Sequence, residues 1–398
     1  MTYPSLQIPQ AERQARVDRL LEHIIDEALT GVVLFDNFYI LYYTGFAFIR
    51  TERPIAFFMN AKGEQALFVP RLEVEHARND TKMDRVEYYI EYPCDPHPMV
   101  ILKGVLEEMG IYEHYGADQD GYPWIFGYRG STLSELLGQS PKNLTTFVED
   151  QMRIKSPAEI RLIGESIKWG NLAHTLLQRY TRPGLTENEV SLRATNEATL
   201  KMLDAIGPIY QSQNPYSDGA GAGYRGQIGR GASIPHALTG NIIFQPGDVV
   251  VSGAGAPIWG YNSELERTMI LGPASDEQKR MFDHMLALQD AAFRALKPGS
   301  RCSDVDRAVK AYFEEHDLMP FWKHHSGHAI GLREHESPFL DVGDQTVIEP
   351  GMVFTIEPGL YSPGLGGFRH SDTVTITEDS IEIMTYYPRD LETLTIPV

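Results

Sequence analysis

The chain has 398 residues, 42% of them hydrophobic and 22% charged, which suits two globular domains with a sizeable core and excludes a disordered or fibrous chain. Its 54 acidic against 35 basic side chains give a net charge of −19, which disfavours nucleic acid and anionic membranes as main partners. No apolar run reaches the roughly 18 residues of a spanning helix, no signal-peptide core opens the chain, and Cys94 and Cys302 are too few for a disulfide framework, so a cytoplasmic protein is expected.

Apolar residues Val17, Leu20, Leu21 and Ile24 at helical spacing predict a helix over 9–28. Four apolar runs then read as strands, at 31–35, 39–46, 54–60 and 64–70, and residues 100–110 read as a further helix. The α/β pattern fades near 145–151. Just beyond, Ser156-Pro157-Ala158-Glu159 carries a capping Ser, Pro at the first helical position and Glu three residues after the cap. Thr186 and Ser275 open similar segments, so the second domain holds at least three capped helices.

An internal repeat follows. The segment from Arg182 (RPGLTENEVSLRA) resembles that from Lys297 (KPGSRCSDVDRAV), and QPGDVVVSGAGAPIWG from Gln245 resembles EPGMVFTIEPGLYSPG from Glu349. Two copies of a helix and strand imply one pseudo-symmetric domain with its site between the halves, where Glu357 of one half matches Gly253 of the other. HHSGHAIGLREHE holds four histidines between His324 and His335. Glu357 interrupts an apolar strand, and an acid so placed needs a cation, a metal or a substrate beside it.

KSPAEI, SIPHAL, SGHAIGLREHE, EPGMVFTIEPG and FRHSDT, in this order across the chain, resemble the pita-bread family of creatinase, prolidase and aminopeptidase P. The resemblance implies an α/β (α+β) protein: an N-terminal creatinase-like α/β domain at 1–152, then a C-terminal pita-bread catalytic domain at 153–398 with its pseudo-two-fold repeat. The family's metallopeptidases hold two divalent ions with two Asp, one His and two Glu. This chain offers Gly253 for the first Asp, Glu264 for the second and Ser371 for the last Glu. Only His328 and Glu357 match by identity.

Lost carboxylates weaken a metal site, so the closest active-site pattern is that of creatinase, the family's metal-free hydrolase. That likeness implies His236 as the catalytic histidine, Glu266 and Glu357 as acids facing a cationic group, and Arg53 and Arg333 as holders of a substrate carboxylate, Arg53 reaching the partner subunit's site. His328 and His335 would contact substrate. No tightly bound cofactor is expected, and any weakly held divalent ion would rest on Glu264, His328 and Glu357. A neutral His236 suits proton transfer in C–N hydrolysis, and two acids with two arginines suit a small zwitterion. The glycine-rich GAGAGYRG from Gly219 lacks the lysine and the helix of a phosphate loop, so nucleotide binding is discounted.

The leading expectation is a metal-independent hydrolase of an amidine or amide C–N bond in a small zwitterionic metabolite, acting as a homodimer with shared active sites. The alternative is a metal-dependent Xaa-Pro dipeptidase or aminopeptidase. A third, of another class, is a non-catalytic pita-bread binding protein. Metal content discriminates the first two, and a proton shuttle at His236 argues against the third.

Overall fold

The computed structural model describes residues 5–214 and 217–398. Two compact units emerge, Ile8–Met152 and one built on Arg153–Val398. No helix of the described residues is long and apolar enough to cross a membrane.

The first unit is a six-stranded mixed sheet in the order Arg85–Tyr89, Gln65–Pro70, Ala56–Asn60, Gly31–Leu34, Gly116–Ala117 and Lys142–Asn143. Apolar runs with no polar alternation make its central strands, because both faces are buried. Helices Gln10–Asp26 and Pro98–Glu108 stand where the spacing placed them. The strand expected at 39–46 is instead the helix Asn37–Thr44. The Asp36 carboxylate accepts hydrogen bonds from the amides of Phe38 and Tyr39, and Gly45 closes the far end in the left-handed region at φ 79°. A continuous apolar run carries no period that separates helix from strand, so the caps decide.

In the second unit, Ser156 and Ser275 form capping boxes with Glu159 and Gln278, opening the helices Pro157–Tyr180 and Asp276–Ala295, and Thr186 caps Glu187–Ile206. The repeat is visible as helix Glu187–Ile206 with strand Val249–Gly255 in one half and helix Cys302–Glu315 with strand Val353–Ile356 in the other. The main path of the sheet runs Glu336–Phe339, His328–Ala329, Val353–Ile356, Ser371–Ile376, Leu265–Leu271, Val249–Gly255, Gly221–Gly223, each neighbour antiparallel. The halves meet where Ser371–Ile376 pairs with Leu265–Leu271, with Ser371 opposite Glu266 and Gly253 opposite Glu266 on the other side. Gly253, Glu266 and Ser371 therefore form one row across three strands.

Two histidines are sealed in this unit. His174 Nε2 donates to Ser252 Oγ at 2.6 Å, and its pKa is pushed down to about 3 by burial and then by Arg267. His370 faces away from the row of Ser371, accepts from the Thr268 amide, and is held well below its ordinary value by burial and Arg267. Below pH ~6.5 the unfolded chain protonates both rings while the native chain keeps them neutral, so stability falls with pH at about 1.4 kcal/mol per unit for each ring. His174→Gln keeps the donor and removes one such group. The loss of unfolding free energy between pH 6.5 and 4.5, measured by denaturant titration, should shrink by about 2 kcal/mol in this variant, and an unchanged loss would contradict the assignment.

Candidate active site

Three side chains converge at the meeting of the halves. Glu264, His328 and Glu357 each bring a ligand-type atom into a group whose members all lie within 4.8 Å of one another. The backbone sets each one. The hydroxyl of Thr373 accepts from the Glu264 amide and donates to its carbonyl, fixing the turn into strand Leu265–Leu271. The Glu357 amide donates to the Ser326 carbonyl, and Ser326 is held by the buried Asp306, so strand end and histidine segment are locked together.

His328 is fully buried. Its Nδ1 donates to the Ala329 carbonyl at 3.0 Å, which turns Nε2 toward the acids. Nε2 comes within 3.1 Å of Glu357 Oε1 and pairs with it as an ion pair. A buried ring nitrogen turned toward two carboxylates has the arrangement of a metal ligand whose other nitrogen is fixed by a backbone carbonyl. Burial disfavours the charged ring, but Glu357 and Glu264 outweigh it and push His328 up to about 9. Burial likewise opposes ionisation of Glu357, which the ring and Arg369 nonetheless hold well below the usual carboxylate range. Glu264 is pushed up to about 8 by burial, then by Glu357 and Glu266, while Ser371 Oγ donates to its Oε1 at 2.6 Å. An incoming cation would take the place of these shared protons, so the donor set of one imidazole and two carboxylates fits a divalent metal.

Glu266 departs from expectation. The sequence predicts an acid open to a cationic group of the substrate, but both its oxygens are already occupied by the chain's own guanidiniums. Arg369 donates from Nε to Oε2 and from Nη2 to Oε1 at 2.6 Å, and Arg225 Nη2 adds a bond to Oε1 at 2.9 Å. A Cβ at Gly253 would sit 3.6 Å from Glu266 Oε1, an ordinary contact, so Glu266 borders that glycine across the strand pair. Arg369 also donates to Tyr361, which lies 2.8 Å from His324 Nε2.

The other expected residues are more dispersed. His335 is stacked on His328, ring centroids 3.8 Å apart, with its outer side exposed. His236 sits on an exposed turn, and the pKa of His335 is lowered by burial first and then by His328. Arg333 lies in the bend after His328–Ala329, its amide donating to Glu336. Arg53 belongs to the first unit, where Glu91 binds it through Nε at 2.7 Å and Nη2 at 3.2 Å and Glu52 through Nη1. Arg225 and Arg369 were given no role from the sequence. Arg369 lies in the FRHSDT segment, and Arg225 is a lone cation among the glycines of GAGAGYRG, where no local signal marks it.

Residues 161–378 match Metallopeptidase family M24 and residues 16–151 match the Creatinase/Prolidase N-terminal domain. The chain belongs to this creatinase, prolidase and aminopeptidase P family, hydrolases of C–N bonds. It is 27% identical over 378 residues to the Xaa-Pro dipeptidase of Pyrococcus furiosus, covering 94% of this chain and 99% of that one. Its fold is similar to that of an Xaa-Pro dipeptidase from Bacillus anthracis, with a TM-score of 0.79, 24% identity and coverage of 97% and 100%. It is also similar to a zinc-substituted Escherichia coli aminopeptidase P, with a TM-score of 0.71, 20% identity and coverage of 95% of each chain. Membership of a metallopeptidase family, together with the converging Glu264, His328 and Glu357, overturns the expectation of no cofactor. The metal-independent reading falls with it, and the relatives back the peptidase alternative instead.

Proposed function

We propose that this chain is a metal-dependent hydrolase of the amide C–N bond of small dipeptides, of the Xaa-Pro type, working with one divalent ion held by Glu264, His328 and Glu357. The observation that carries this reading is the buried His328 Nε2, facing Glu264 and Glu357 in a group whose ligand atoms all lie within 4.8 Å of one another. The matching relatives named Xaa-Pro dipeptidase support the substrate class. A divalent ion supplies carbonyl polarisation and a more acidic water. The chain's own residues do the rest: Ser371 orients Glu264, the Ala329 carbonyl fixes the His328 ring, and the exposed edge of His335 is placed to donate to a bound substrate. One ion rather than two follows from charge. Gly253 and Ser371 contribute no carboxylate, and Arg369 and Arg225 neutralise Glu266.

The reading is tested by proline release from Ala-Pro. Protein dialysed against a strong chelator should lose at least about 99% of its activity and regain it on adding Mn²⁺, Co²⁺ or Zn²⁺. Chelator-resistant cleavage, or no cleavage of any Xaa-Pro dipeptide with any of these ions, would sink it.

A further inference from the structure

We infer that the buried Lys155–Glu336 ion pair is a positioning device that seats His335 on His328, an inference that rests on the dipeptide-hydrolase reading above, in which His335 donates to the substrate. His335 makes no hydrogen bond of its own among the described residues; what holds its ring is the stack on His328, with centroids 3.8 Å apart and planes 16° apart. A ring held by one stack takes its place from the backbone beneath it. That backbone is the bend between the paired residues Ala329 and Glu336.

Glu336 ties the bend down. Its carboxylate accepts from the Arg333 amide through Oε1 at 3.0 Å and from Lys155 Nζ through Oε2 at 2.7 Å. The Gly331 amide donates to the Arg333 carbonyl, so the turn closes on the residue that Glu336 holds. Lys155 is fixed at its own end. Its amide donates to the Gly351 carbonyl, just before the strand Val353–Ile356 that pairs with Ala329 and leads into Glu357. The ion pair therefore links the strand that leads to one candidate metal ligand with the bend that carries His335.

Stability alone is a poor account of the pair. Its side chains are 1% and 6% exposed, and at such burial desolvation offsets much of the attraction, so apolar residues of similar volume would hold the fold about as well. What a charged hydrogen bond adds is direction. The bend also keeps room for it: a Cβ at Gly331 would lie 2.9 Å from both Glu336 Oε2 and Lys155 Cε. Neither Lys155 nor Glu336 lines the cavity of about 300 Å³ beside the site, so the pair acts through His335 and not on the substrate.

Gly331→Ala tests this without stranding a charge, since the added methyl pushes the two flexible tips aside and leaves both in place. In metal-free protein with isotopically labelled histidine rings, the His335 nuclear magnetic resonance line, identified by its loss in His335→Ala, should lie upfield under the influence of the His328 ring. In Gly331→Ala it should move toward the position of free histidine. An unmoved line would overturn the inference whether or not the protein cleaves dipeptides. With metal and Ala-Pro, Gly331→Ala should lower kcat/KM by about 10–100-fold, the usual cost of a displaced group. In a His335→Ala background the same substitution should change it by less than about twofold, because no ring is left to act through. Lys155→Met with Glu336→Leu, which removes both charges and keeps the volume, should give the same two results with metal content unchanged. A loss that persists in full without His335 would also overturn the inference, showing that the pair serves the fold or the metal. A line that moves in a protein that cleaves no Xaa-Pro dipeptide would support the positioning role and refute the hydrolase reading.

Discussion

Arg267→Met destabilises the second unit by about 3–5 kcal/mol, the loss expected when one partner of a buried ion pair is removed. Arg267 and Asp372 are each about 1% exposed and pair at 2.7 Å. The guanidinium also donates to the carbonyls of Glu266, Ser371, Tyr387 and Pro388. Methionine fills most of the volume but satisfies none of these acceptors. Asp372 keeps hydrogen bonds from Thr385 and Gln289, yet its charge is left without a counter-ion in the core. The double variant Arg267→Met with Asp372→Leu should recover part of the loss, because removing both charges costs less than stranding one. Urea titration of the three proteins measures this, and a single variant within about 1 kcal/mol of wild type would show that the pair is not structural.

The position of this pair also shows what the sequence could and could not disclose. Helix starts were legible because a cap is a local device: Ser156 with Glu159 and Ser275 with Gln278 announce themselves within four residues. The apolar strands of the central sheet were legible for the same reason. The helix Asn37–Thr44 was misread since its apolar run has no period and its signals, Asp36 and Gly45, lie outside it. Within the site, Glu264, His328 and Glu357 stood out as acids and histidines in strand-edge motifs, though the absent carboxylates at Gly253 and Ser371 led to the opposite conclusion about metal. The fate of Glu266 was hidden. Its partners Arg369 and Arg225 lie 103 and 41 residues away, and only the strand register that sets Gly253, Glu266 and Ser371 in one row brings them together. No local spacing encodes such a row.

His328→Ala is the variant with the largest effect on chemistry. It removes the one nitrogen donor among the described residues of the converging group and leaves Glu264 and Glu357 facing each other across a void. Two carboxylates without the imidazole repel when both are ionised, so one takes up a proton and the ion loses two of its three protein ligands at once. We expect kcat/KM for Ala-Pro to fall by at least about 10³-fold, with a lower melting temperature as well, because Glu357 loses the ring that pairs with it in the core. Asparagine at 328 should not rescue activity.

Metal content per chain, measured by elemental analysis after equilibration with excess divalent ion and desalting, decides between the accounts. One ion per wild-type chain and less than about 0.1 per His328→Ala chain is the result predicted here. Two ions per wild-type chain would show that Gly253 and Ser371 do not limit the site, and a single ion retained in His328→Ala, or none in the wild type, would contradict the assignment of Glu264, His328 and Glu357 as its holders.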